Sequence, residues 1–152
     1  LRKISPENKH ITKVGNFSDL LSYKYYSTYQ DLDSNISGTS YDVAHVKWQS
    51  NWQMPTVSDI QALMTLPHER YVLNGILGYM FEGENGAKLY FPGAGTINSS
   101  TTTVGSLGIG CYWTSEKSEM NLCPYYFFID QEQVKIREST CSNGECVRPV
   151  FK

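Results

Sequence analysis

The chain has 152 residues and a formal net charge of −2, enough length for one domain with its own core. It has no basic stripe for nucleic acid, no polybasic run for an anionic membrane, and no apolar run that would insert this domain in a bilayer. Eleven Tyr, six Phe and three Trp stand beside abundant Ser, Thr, Asn and Gly, a mixture suited to sheets joined by long polar loops.

Residues 1–34 read as a polar, Tyr-rich segment packed on the domain that follows. A short strand is expected at Ile11 to Val14. In the stretch from Ser22 to Gln30, Tyr23, Tyr25 and Tyr29 share one face of a strand while Tyr26 does not. Burying aromatic area is worth kilocalories, so these rings read as a cover over the core rather than an exposed patch.

Residues 35–152 form the domain itself. The loop Asn35 to Ser40 leads into a short amphipathic helix over Tyr41 to Trp48, with Ser40 as its cap and Val43, Ala44, Val46 and Trp48 facing inward. The strongest helix start in the chain follows at Thr56. Its hydroxyl can accept from the N–H of residue 59, and the Asp59 carboxylate sits in the positive first turn, with Ser58 and Gln61 as a second box. Val57, Ile60, Leu63 and Met64 then share one face, and Pro67 stops the helix. Trp48 and Trp52 flank its entry and are expected in the core.

Downstream the pattern turns to sheet. Leu77 to Glu82 and Ala87 to Phe91 are β-like runs separated by Gly83-Glu84-Asn85-Gly86, a hairpin signal. Gly93 to Gly110 carries five Gly and a Ser/Thr block, which reads as a long loop and therefore as the first place to look for a site. Cys111 to Ser115 is the next strand, Glu116 to Pro124 a second polar loop, and Tyr125 to Asp130 and Val134 to Glu138 two further strands. Val147 to Phe151 closes a meander.

The four cysteines, 111, 123, 141 and 146, have spacings that suit zinc poorly, and the His residues lie far upstream. They read as disulfides in an oxidising compartment, Cys141 with Cys146 across an Asn-Gly turn and Cys111 with Cys123. With Leu1 rather than Met at the start, a trimmed signal or anchor segment is expected.

The runs YDVAHVKWQSNWQMPTVSDIQAL, KLYFPGAG, GCYWTSE and CVRPVF occur in this order between Asn35 and Phe151. Together they resemble the Fibrobacter succinogenes major paralogous domain, a bacterial domain of secreted or lipid-anchored surface proteins. Relatives usually carry a Gly pair and an Arg where this chain has Gln49-Ser50-Asn51 and Gln53, while the closing Arg is kept as Arg148. The resemblance implies an α+β, C-type-lectin-like layout, with two helices on a twisted antiparallel sheet and long loops that present ligand. It also implies an extracellular or outer-membrane location.

Lectin-type calcium ligands such as Glu-Pro-Asn are missing, and Gln53-Met54-Pro55 leads a helix instead, so no metal is expected. No cofactor is expected either. Some relatives by fold are formylglycine-generating oxidases, but no Cys-His pairing, nucleophile elbow or H-E-x-x-H occurs, and the carboxylates lie scattered on turns, so a non-catalytic protein is expected. The expected function is adhesion to a glycan or a surface protein, the alternative a structural or tip subunit of a surface assembly. The expected contact residues are Asn98, Ser99, Thr102, Glu116, Lys117, Glu119 and Asn121, with Tyr112 and Trp113 beneath or beside them. Trp113 alone reads more readily as core than as a stacking platform.

Overall fold

The computed structural model describes residues 33–49, 51–97, 102–103, 108–120, 123–139 and 143–152. The tyrosines of the N-terminal stretch and the strand expected at Ile11 to Val14 lie outside them. The first described helix, α1, spans Val43–Trp48, and its cap is Asp42 rather than Ser40. A carboxylate explains the difference, since it can serve more donors than a hydroxyl. One Asp42 oxygen accepts from the N–H groups of Ala44 and His45 at 2.8 and 3.1 Å, the other from Gly38 and Met54 at 2.9 and 2.8 Å. The side chain is fully buried, and it ties the loop before α1 to the segment after it.

Helix α1 ends at Gln49, where φ is 56° and ψ −169°. That region is close to glycine's own territory and costs a side chain on the order of 1–3 kcal/mol. The resembled family usually carries its Gly pair at this point. We expect Gln49→Gly to stabilise the fold by about 1 kcal/mol, the relief of strain exceeding the entropy that glycine adds to the unfolded chain. Urea unfolding checks this, and an unchanged or lowered midpoint counts against it.

A two-residue strand, β1 (Trp52–Gln53), leads into α2 (Val57–Thr65). The capping box is present as expected. Thr56 accepts from the Asp59 N–H, and the Asp59 carboxylate accepts from the Thr56 N–H at 2.8 Å. Ser58 turns its hydroxyl to Thr56 rather than forming a second box. Ile60 is buried, and Leu63 and Met64 pack against the same cluster.

Three antiparallel strands follow, β2 (His68–Leu73), β3 (Ile76–Glu82) and β4 (Lys88–Pro92), in the order β2-β3-β4. The β3–β4 hairpin was expected, and β2 was not. All six of its residues are exposed, so it lacks the alternation that marks a half-buried strand. Its turn did leave a signal in Asn74-Gly75, whose φ values of 52° and 80° suit a two-residue hairpin. Within the expected long loop, β5 (Thr96–Ile97) pairs with β6 (Thr102–Thr103).

The second three-stranded sheet is the meander β7 (Gly110–Lys117), β8 (Pro124–Ile129) and β9 (Val134–Glu138). Finally β10 (Val150–Phe151) returns across the domain to pair with β1, Phe151 opposite Trp52 and Val150 opposite Gln53. The fold is thus α+β, with two described helices and antiparallel sheets.

Strand alternation along β7 and β8 divides the core. Tyr112 and Phe127 face one another in a cluster with Ile60, Tyr79, Phe81, Phe91 and Ile129, which joins α2 and the β3–β4 hairpin to the meander. Trp113 and Tyr126, one residue along on each strand, face the other way, toward Val43, Ala44 and Met54. The domain therefore has α1 on one face of the meander, and α2 with the first sheet on the other.

Candidate functional site

The polar loops do not assemble the expected contact surface. Tyr112 and Trp113 are 4% and 7% exposed, and the Tyr112 hydroxyl donates to the Pro92 carbonyl. Both rings belong to the core because their strand is covered on both faces, and neither is placed to touch a ligand. Glu116 and Lys117 lie within β7 rather than in a loop. The Glu116 carboxylate accepts from the Val57 N–H at the start of α2 and from the Asn35 side chain, so it holds the fold. Lys117 and Glu119 edge a shallow depression of about 590 Å³ with Met120, Tyr125 and Glu138. Thr102 lies in β6, while Asn98, Ser99 and Asn121 fall outside the described residues.

The expected Cys111–Cys123 pair is not brought together, and the expected Cys141–Cys146 pair falls partly outside the described residues. Lys117 faces Pro124 and Cys111 faces Phe128, so Cys111 and Cys123 sit at opposite ends of the β7–β8 hairpin, about 20 Å apart at about 3.3 Å per residue. Cys111, Cys123 and Cys146 carry free thiols, and Cys141 lies outside the described residues. Burial, and then the Glu145 carboxylate beside it, pushes the Cys111 thiol far above its ordinary value, so it is a poor nucleophile. Burial also raises Cys146 and Cys123. Among the described residues no group of three His, Cys, Asp or Glu could hold a metal ion, and no helix is long and apolar enough to cross a membrane.

A groove of about 830 Å³ lies instead between α2, β4 and the C-terminal segment, within the range of ligand sites. Its inner lining is aliphatic and aromatic, from Ile60 and Leu63 of α2, Leu66 just past its end, and Leu89 and Phe91 of β4. The rim is formed by Trp48, Trp52 and Phe151, which are 52%, 36% and 64% exposed. Trp48 and Trp52 are therefore not core. Trp48 closes α1, and among the described residues β1 pairs only with β10, a two-stranded sheet that leaves both indoles exposed. Trp52 meets Phe151 edge to face, with ring centroids 5.3 Å apart. This pair exists because β10 returns to β1, joining residues that sequence proximity does not connect.

Two charged groups complete the lining. Arg148 is exposed, and its guanidinium lies 5.7 Å from the centre of the Phe91 ring. It has no ion pair among the described residues. Asp59 is engaged on both oxygens by the Lys152 ammonium at 2.7 and 2.8 Å. Burial works against the Asp59 charge, but the hydrogen bonds from Lys152 and from Thr56 outweigh it and hold the carboxyl below its ordinary value.

A depressed carboxylate contributes stability that is present above its unfolded value and lost as pH falls through the lower folded one. The Lys152 side chain is 39% exposed, so solvent screening limits the pair to about 0.5–1 kcal/mol. We expect Lys152→Met to lower unfolding stability by that amount at pH 6 and by almost nothing once pH drops below the folded value of Asp59. Urea titrations of both proteins across pH 2 to 6 check this, and a difference that persists at the acid end counts against it.

Comparisons with protein-family models, with curated proteins and with solved structures return no match for this chain.

Proposed function

We propose that this chain is a non-catalytic binding module of the bacterial cell surface or secreted space, a relative of the resembled surface domain with a C-type-lectin-like arrangement of its helices and sheets. We place its ligand in the groove between α2 and the C-terminal segment, and take that ligand to be a stretch of protein. The observation that carries the reading is the cluster of three large aromatic side chains, Trp48, Trp52 and Phe151, left exposed around one concavity. Exposed aromatics that converge on a concave apolar surface are the pattern of binding anchors rather than of ordinary surface. A glycan is the less favoured occupant. Its hydroxyls need many partners, and the groove offers few polar groups, one of which Lys152 already occupies.

The test compares three proteins on arrays of matrix and bacterial surface proteins and of glycans: wild type, Trp52→Ala/Phe151→Ala, and Lys117→Ala/Glu119→Ala. The expected result is binding to protein spots that falls about tenfold or more in the first variant and is unchanged in the second. Binding confined to glycans refutes the protein-ligand assignment. Binding lost in the loop variant and kept in the groove variant moves the site to the loops and overturns the placement.

A further inference from the structure

The lining of the groove also indicates what kind of segment it takes, an inference that rests on the protein-ligand reading above. Apart from Arg148, the charge at its edge is already neutralised, because Lys152 engages both Asp59 oxygens. What remains is one cation set against an aromatic ring and aliphatic walls. The guanidinium has five donors in a planar fork that matches a carboxylate, and apolar walls that exclude water strengthen such a contact. A neutral apolar segment would cover Arg148 without a partner, at a cost in desolvation, whereas an acidic one would satisfy it.

We propose that the groove binds a peptide segment in which a carboxylate stands next to a bulky apolar side chain. The carboxylate pairs with Arg148, and the apolar group lies against the surface rimmed by Trp52 and Phe151. The carboxylate has two sources, an internal Asp or Glu or the free end of a chain, and the chemistry is the same for both.

Four synthetic peptides separate the possibilities: acetyl-Gly-Leu-Asp-Phe-Gly-amide, the same peptide with Asn for Asp, acetyl-Gly-Leu-Phe with a free carboxyl end, and its amide. Each is titrated into the full chain and followed by backbone amide NMR shifts of the groove residues and by tryptophan fluorescence. Trp113 is buried, so a peptide-dependent fluorescence change reports on Trp48 and Trp52. At least one carboxylate peptide should bind about tenfold more tightly than its uncharged counterpart, equivalent to about 1.4 kcal/mol. Arg148→Gln should abolish that preference, and Arg148→Lys should keep part of it.

A gain confined to the Asp peptide identifies an internal acidic residue, and one confined to the free carboxyl end identifies a chain terminus; either supports the proposal. Equal binding of all four peptides in the groove, or a preference that survives Arg148→Gln in a folded protein, overturns it and leaves the protein-ligand reading standing. If none of the four shifts any groove residue, this proposal falls, while the array experiment still decides the broader one.

Discussion

Replacing Asp42 by Ala should lower the unfolding free energy by about 3–5 kcal/mol, a large share of the total stability of a domain of this size. The carboxylate is fully buried and is the acceptor for four backbone N–H groups, two on each oxygen. Removing it leaves those donors facing a small apolar space, each at a cost in desolvation. Asp42→Asn sharpens the test. The amide retains one accepting oxygen, and its NH2 group would face two N–H donors at the other position. We expect it to cost about 2 kcal/mol even though the size of the side chain is unchanged. Equilibrium urea unfolding measures both, and an Asn variant as stable as the wild type would refute the acceptor role.

Phe127→Ala should cost about 3–5 kcal/mol and Phe127→Leu about 1–2, by the usual scale for buried large-to-small changes. Phe127 is fully buried at the centre of the main cluster, with ring centroids 5.3 Å from Phe91 and 6.1 Å from Phe81. Phe91 also lines the groove. The Ala variant should therefore weaken ligand binding without touching the ligand, because the cavity lets the Phe91 ring turn away from the groove. Measuring stability and binding on the same preparation tests both effects. An Ala variant that loses less than about 1.5 kcal/mol would mean that the surroundings collapse to fill the space.

Much of the fold was legible because its signals are local. Thr56 and Asp59 mark the start of α2 within four residues, and Gly83 to Gly86 marks the β3–β4 turn. The alternation of Val134 and Ile136 with Lys135 and Arg137 marks β9. Strand β2 escaped because its exposed residues carry no pattern, although Asn74-Gly75 announced its turn. The groove escaped for a different reason. Burial tendency assigned Trp48 and Trp52 to the core, and nothing near them in sequence shows that Arg148 and Phe151 complete a concavity beside them. The polar loops drew attention because loops often carry sites, yet Glu116 is committed to the N-terminus of α2 and the two aromatics before it to the core.

The pairing of β10 with β1, together with the Lys152–Asp59 contact across 93 residues of chain, gives the proposed site an order of assembly. Every residue of the two core clusters precedes Val150 in the chain, so the core can pack while one side of the groove is still unmade. On the proposed reading, competence to bind then waits on a long-range closure with a high entropic cost. A chain cut before Val150 would keep its architecture and lack an affinity. Ligand capture by the groove would thus report that a strand from the far end of the domain has found its place.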